Sequence, residues 1–287
     1  MTGADDAGYC ADLVRNRDFP AYAATLFVGP QARRSLLALH AFAGELARVR
    51  DHVTQALAGE IRLQWWTDLL EGLGHGEVAG HPVAAELMHA IATHALPREP
   101  LLRAIEAHQF DLYNDPMPDM TALESYAAET SGALFSLAAR VLGATGDEAD
   151  HIARHAGIAQ GLVETVRRLP IDAARQQAFV PLDVLQRHGG TIAELYAGVD
   201  KPALRAARGE MLAAARTHRD QAMTLLGSIA STARPAFLPL AVLPGQCDRL
   251  GSDGMFAAPE PPSRLAVLWT LWRASKTTAF KPGSTSA

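Results

Sequence analysis

The sequence is poor in the features that mark secreted, nucleic-acid-binding or membrane-spanning chains. Only two cysteines, Cys10 and Cys247, occur in 287 residues, and they lie far apart. They make no disulfide framework, and a reducing compartment is expected. Positive charge is not in surplus: 26 Lys and Arg stand against 31 Asp and Glu, a net charge of −5. Nucleic-acid recognition needs clustered basic residues, so no nucleic-acid partner is expected. No run reaches the roughly 18 apolar residues of a spanning helix. The longest apolar stretch, Ala236–Leu243, is bracketed by Pro235 and Pro244. The N-terminal segment MTGADDAGYCADLVRNRD has no basic region leading into an apolar one, so no signal peptide is expected. GxGxxG, P-loop and GxSxG elements are missing, which removes nucleotide-cofactor and α/β-hydrolase readings. Val/Ile/Thr alternation at period two is scarce, and strands have little support.

What remains is helix. The chain is 48% hydrophobic and 20% charged, ordinary values for a globular protein long enough to bury a large core. Ala and Leu dominate. Helices are expected over Asp5–Arg17, Ala32–Ala58, Glu60–Leu73, Pro82–Ala95, Arg98–Tyr113, Ala122–Leu142, Glu148–Arg168, Asp183–Arg187, Ile192–Ala197, Ala203–Ile229 and Pro262–Thr277. The breaks are Gly/Pro-rich, at Gly72–Gly76, Pro116–Pro118, Gly143–Gly146, Gly189-Gly190 and Gly251–Gly254. None is a domain linker. One all-α domain over residues 1–281 is expected, with a loose tail at Pro282–Ala287. Ala38, Phe42, Leu46 and Val49 share one apolar face, as do Ile158, Leu162, Thr165 and Val166, and both sets read as core.

Two smaller patterns have more than one reading. Trp269 and Trp272 lie three apart, with Arg273 and Lys276 just beyond. A terminal helix could pack these aromatics on the bundle, or lie as an amphipathic helix on a membrane surface. His151 and His155 are four apart and could share a helix face. With no cysteine nearby and no third ligand evident, no zinc site is expected there.

Several segments resemble a known family when taken in order. They are GPQARRSLLALHAF (Gly29–Phe42), HAFAGELARVRD (His40–Asp51), YAAETSGALFSLAARVL (Tyr126–Leu142) with its Ser131-Gly132 step, GIAQGLVETVRRLP (Gly157–Pro170) and FVPLD (Phe179–Asp183). The chain resembles the squalene/phytoene synthase family over most of its length. Within that family IRLQWWTDLLE (Ile61–Glu71), HPVAAEL (His81–Leu87) and LWTLWRASK (Leu268–Lys276) are similar to the branch of a mitochondrial complex I assembly factor. The resemblance implies an isoprenoid-synthase-type helical bundle around a central cavity.

In the family's synthases two helices each carry acidic residues four apart, on one helix face, aimed at shared Mg²⁺ ions that neutralise a diphosphate. Here the first motif reads Glu45, Ala47, Arg48, Asp51 and the second Gln160, Glu164, Arg168, Asp172. One carboxylate of each pair is gone: Ala47 and Arg168 stand in their places. Pro170 is expected to keep Arg168 and Asp172 off a common face. Arg48 and Arg168 could hold an anion directly, or pair with Glu45, Glu164 or Asp172. The resemblance therefore implies a non-catalytic protein acting in biogenesis of respiratory complex I, with a complex I subunit or assembly intermediate as partner. It would be cytoplasmic, or peripheral on the inner face of an energy-transducing membrane. No catalytic residue, metal or cofactor is expected. The alternatives are a Mg²⁺-dependent head-to-head prenyltransferase, and a protein that binds an isoprenoid or quinone in the old tunnel.

Overall fold

The computed structural model describes residues 3–73, 80–258 and 260–280. The expected tail Pro282–Ala287 and the Gly74–Gly76 part of one break lie outside the described residues. Among those residues the chain is helical throughout: α1 (Gly3–Arg17), α2 (Phe19–Ala24), α3 (Pro30–Leu46), α4 (Ala56–Glu71), α5 (Pro82–His94), α6 (Glu99–Ala107), α7 (Met120–Ala127), α8 (Ala133–Val141), α9 (Asp147–Ala174), α10 (Leu182–Arg187), α11 (Ile192–Tyr196), α12 (Pro202–Leu225), α13 (Leu243–Ser252) and α14 (Arg264–Ser275).

The helix expected over Ala32–Ala58 is two helices. α3 starts on Pro30, whose fixed φ suits a first turn, and it stops at Leu46. A 3₁₀ turn, Arg50–His52, and extended backbone at Val53 and Gln55 separate it from α4. No Gly or Pro marks this break. Within it Asp51 pairs with side chains at the C-terminal end of α9, as described below. α4 ends on Gly72 in the left-handed region, the standard helix stop.

α9 is the spine of the molecule. Three acidic residues, Asp147, Glu148 and Asp150, favour its positive N-terminal end. Its apolar stripe, including Ile158, Leu162, Thr165 and Val166, is buried, and its longest seam runs along α12. Pro170 does not break it. Near a C-terminus proline removes one donor, and the helix runs four residues further. Gln176 then takes a left-handed φ of 56°, with Gln177 N–H donating to the Asp172 carbonyl (2.9 Å) and Gln176 N–H to that of Ala173 (3.0 Å). This is a Schellman stop built without glycine.

Between α7 and α8 a π-turn, Ala128–Gly132, crosses α9 at touching distance. A Cβ on Gly157 would meet the Gly132 backbone nitrogen at 2.1 Å, so the two glycines allow the contact. The apolar run Ala236–Leu243 enters the core as a 3₁₀ segment, with Phe237 stacked on Phe135 at 5.7 Å. No helix among the described residues is long and apolar enough to cross a membrane.

Candidate functional site

The two motif segments face each other at the turn after α3 and the C-terminal end of α9. Asp51 is their meeting point. Its Oδ1 accepts from Arg175 Nη1 at 2.5 Å and from Arg168 Nη2 at 3.3 Å. The same Arg168 nitrogen lies 3.5 Å from Asp172 Oδ1. Arg168 and Asp172 therefore share a face of α9, and the expectation based on Pro170 is corrected: the helix persists, so the four-residue spacing holds. Arg48 Nε stands 3.7 Å from Asp51 Oδ2 and makes no hydrogen bond. The result is a chain of alternating charge, Arg175–Asp51–Arg168–Asp172, linking residues more than a hundred apart in sequence.

The remaining motif residues turn elsewhere. Glu45 pairs with Arg17 at 3.5 Å. Glu164 pairs with Arg167 along α9, with Arg167 Nε at 2.7 Å. Gln160 is half-buried one turn before Glu164, and Ala47 is exposed at the end of α3. Four carboxylates are present, but only Asp51 and Asp172 meet, and they meet through a guanidinium.

Behind Asp172 lies a second set of groups that the motif comparison did not single out. Asp111 Oδ1 accepts from Tyr126 Oη at 2.8 Å, and its Oδ2 lies 2.7 Å from His108 Nδ1. Gln177 Nε2 donates to the Asp111 carbonyl at 2.9 Å. Phe110, Tyr126 and Phe179 pack as a three-ring cluster with centroids 5.5–6.3 Å apart. A pocket of about 10 Å³, lined by Thr165, Leu169, Asp172, Gln177, Phe179 and Leu195, has room for about one water. Arg175 and the His108-x₂-Asp111 pair were visible in the sequence, but nothing local tied them to Asp51 or Asp172.

Burial and charge set the protonation of this cluster. Burial raises the Asp172 carboxyl to about 6 against the opposing pull of Arg168. Asp51 is also raised by burial, but Arg175 and Arg168 outweigh it and hold the group below the usual carboxylate range. Burial works against the Arg168 cation, and Asp172 and Asp51 more than offset it. Burial, then Asp111, pushes Tyr126 well above its ordinary value. These groups brace one end of the bundle. They do not fit a divalent cation, because the Arg168 charge stands between the two carboxylates that would bind it. Among the described residues no cluster of three or more His, Cys, Asp or Glu is placed to hold a metal.

The other singled-out residues lie away from this end. His155 Nδ1 is 2.8 Å from Nδ1 of His218 on α12, and His218 Nε2 is 3.4 Å from Glu124. A third histidine thus joins His151 and His155, although the sequence pattern gave none. Trp66 is buried against Phe42, while Trp269 and Trp272 are about half exposed and stacked on one another.

Known proteins resemble the chain in both sequence and structure. The sequence profile of the squalene/phytoene synthase family matches residues 14–273. The NADH dehydrogenase (ubiquinone) complex I assembly factor 6 of Mus musculus is 34% identical over 230 residues, 80% of this chain and 69% of that protein. The Homo sapiens protein of the same name is 31% identical over the same shares. A presqualene diphosphate synthase of Sinorhizobium fredii is 22% identical, covering 83% of this chain and 85% of its own. Among solved structures, a dehydrosqualene synthase superposes with a TM-score of 0.80 at 17% identity, over 96% of this chain and 98% of that one. The squalene synthase of Alicyclobacillus acidocaldarius gives 0.66 at 20%, over 97% and 95%. At such identities the structures establish the fold alone.

Proposed function

We propose, from the premise that this chain belongs to the squalene/phytoene synthase family, that it is a non-catalytic member acting in biogenesis of respiratory complex I, the NADH:quinone oxidoreductase. The observation that carries this reading is Arg168. It lies 3.3 Å from Asp51 and 3.5 Å from Asp172, where a synthase-type site needs carboxylates free to bind metal. Ionising a prenyl diphosphate requires strong stabilisation of the departing pyrophosphate, and metal ions supply most of it. With Ala47 and Arg168 in place of carboxylates, both aspartate motifs are degenerate. The guanidinium does structural work in their stead, and the chain needs no cofactor. An anion held by Arg168 would have to displace two ion pairs, so the bracing role is the stronger one. The relatives above 30% identity are named as complex I assembly factors, which supports a complex I subunit or assembly intermediate as the partner. With no spanning helix among the described residues, a meeting with a membrane-embedded client would be peripheral. Prenyl transfer is the weaker reading, resting on a 22% likeness to a synthase.

A deletion strain separates the two. NADH:quinone reductase activity and assembled complex I are expected to fall, with squalene and carotenoid content unchanged. Loss of those isoprenoids with normal reductase activity would overturn the proposal. Quinone or isoprenoid copurifying in stoichiometric amount would instead favour the lipid-binding alternative.

A further inference from the structure

α14 is held firmly to the bundle by one side. Val267 and Leu271 are buried there. Arg264 lies over the Phe19 ring at 4.9 Å, and Arg234 reaches the carbonyls of Thr278 and Ala279 at 3.4 Å just beyond the helix. Phe280 is buried after it. The core contact of this helix is therefore complete.

A second apolar stripe runs along its outer side. Leu265, Trp269, Trp272 and Lys276 follow one another at intervals of four, three and four residues, which places them on one face. Leu265 is 78% exposed, Trp269 57% and Trp272 47%. The two indoles stack at 5.0 Å, offering one broad aromatic surface. A helix apolar on both sides calls for a second apolar neighbour. Charge says which kind. From Ser263 to Phe280 the chain carries Arg264, Arg273 and Lys276 and no carboxylate, in a molecule of net charge −5. Arg264 is turned to the bundle over Phe19, and Arg273 and Lys276 stand at the C-terminal end of the stripe. Indole rings sit at headgroup depth in a bilayer, where such cations meet anionic lipid.

We infer that the Leu265–Trp269–Trp272 face of α14 docks on an anionic lipid bilayer, with Arg273 and Lys276 against the headgroups and the helix lying in the interface plane. The attachment is shallow and reversible. Its cellular meaning rests on the assembly reading, to which it gives a membrane contact. Lipid binding is read without reference to complex I, so either can fail alone.

The test is co-sedimentation of the full chain with phosphatidylcholine vesicles, with and without phosphatidylglycerol. Binding is expected only with the anionic lipid and is expected to fall as salt rises. Arg273→Ala and Lys276→Ala should each weaken it roughly fivefold. Trp269→Ser with Trp272→Ser should weaken it on the order of tenfold or more, with circular dichroism and thermal unfolding unchanged. Brominated lipid should quench indole emission in the wild type and not in the double variant. A wild-type chain that ignores anionic vesicles, or binds them independently of salt, overturns the inference. So does unfolding of the double variant, which would make the rings core. So does a solution dimer that the double variant dissolves, which would put a second copy on the stripe.

Discussion

Arg168 shows how much one side chain can decide. It is the cation shared by two carboxylates, one of them, Asp172, buried among apolar neighbours. Removing it strands that carboxylate, and breaking a buried pair typically costs about 3–5 kcal/mol. The cost should depend on pH, with a sign that follows from Asp172. Its folded value, about 6, lies above its ordinary 3.8, so the folded state holds the proton more tightly than the unfolded chain. The stability this contributes is present in acid and lost as pH rises from about 4 to about 6. For Arg168→Ala the folded value moves higher still. Chemical denaturation should therefore show a small loss near about pH 5, where Asp172 is already largely protonated, and about 3 kcal/mol near about pH 8. A loss that does not change with pH would mean that Asp172 is not the stranded group. Which residues would meet was only half legible from the chain. Asp51, Arg168 and Asp172 could be picked out by their motif positions. Arg175, Asp111, Tyr126 and Gln177 could not, because their partners come from other helices and no spacing rule reaches across such distances.

Helices were mostly legible where periodicity was long, and the misjudged ends have physical causes. α9 and α12 follow their apolar stripes closely. The gap between α3 and α4 was hidden because Ala47–Gln55 has no Gly or Pro and the apolar period runs on. Pro170 does not end α9, since a proline one turn from a C-terminus forfeits a single bond. The π-turn at Ala128–Gly132 was not legible, because the close approach it makes depends on Gly157 of another helix. Gly157→Ala should drive its Cβ into the Gly132 backbone and lower stability by about 3 kcal/mol, read as a shift in the denaturation midpoint. A neutral result would show that α9 can slide. The α9–α12 seam should also respond to acid. Burial, then His218 and His151, with a smaller push from Arg154, holds His155 below 6.5, while Glu124 faces His218 from α7. A depressed histidine contributes stability that is complete above pH 6.5 and lost as pH falls towards its folded value. Thermal unfolding of His155→Gln should lose less stability than wild type across that window. Equal slopes would remove the histidine cluster from the account.

The molecule as a whole shares the fold of squalene and dehydrosqualene synthases, and an ion-pair chain crosses one end of it. Charge neutralisation at that end comes from Arg168 and Arg175, and three aromatic rings crowd the space behind. Farnesyl diphosphate with Mg²⁺ or Mn²⁺ should consequently remain uncondensed. Turnover near about 1 s⁻¹, ordinary for an enzyme, would reverse the functional reading. Chelators should leave the unfolding temperature where it is, and a drop on adding EDTA would show that a metal contributes to the fold. A further consequence concerns supply. A protein whose charges are balanced by bound ions and substrate is stabilised by mass action, by about 2.7 kcal/mol at a hundredfold excess of ligand over its Kd. That share of its stability rises and falls with the cell's metabolism. Arg168 and Arg175 are fixed to the chain, at a local concentration no starvation can dilute. On the proposed non-catalytic reading, the folded population is uncoupled from magnesium and isoprenoid flux, and is set by how much protein the cell makes and what that protein meets.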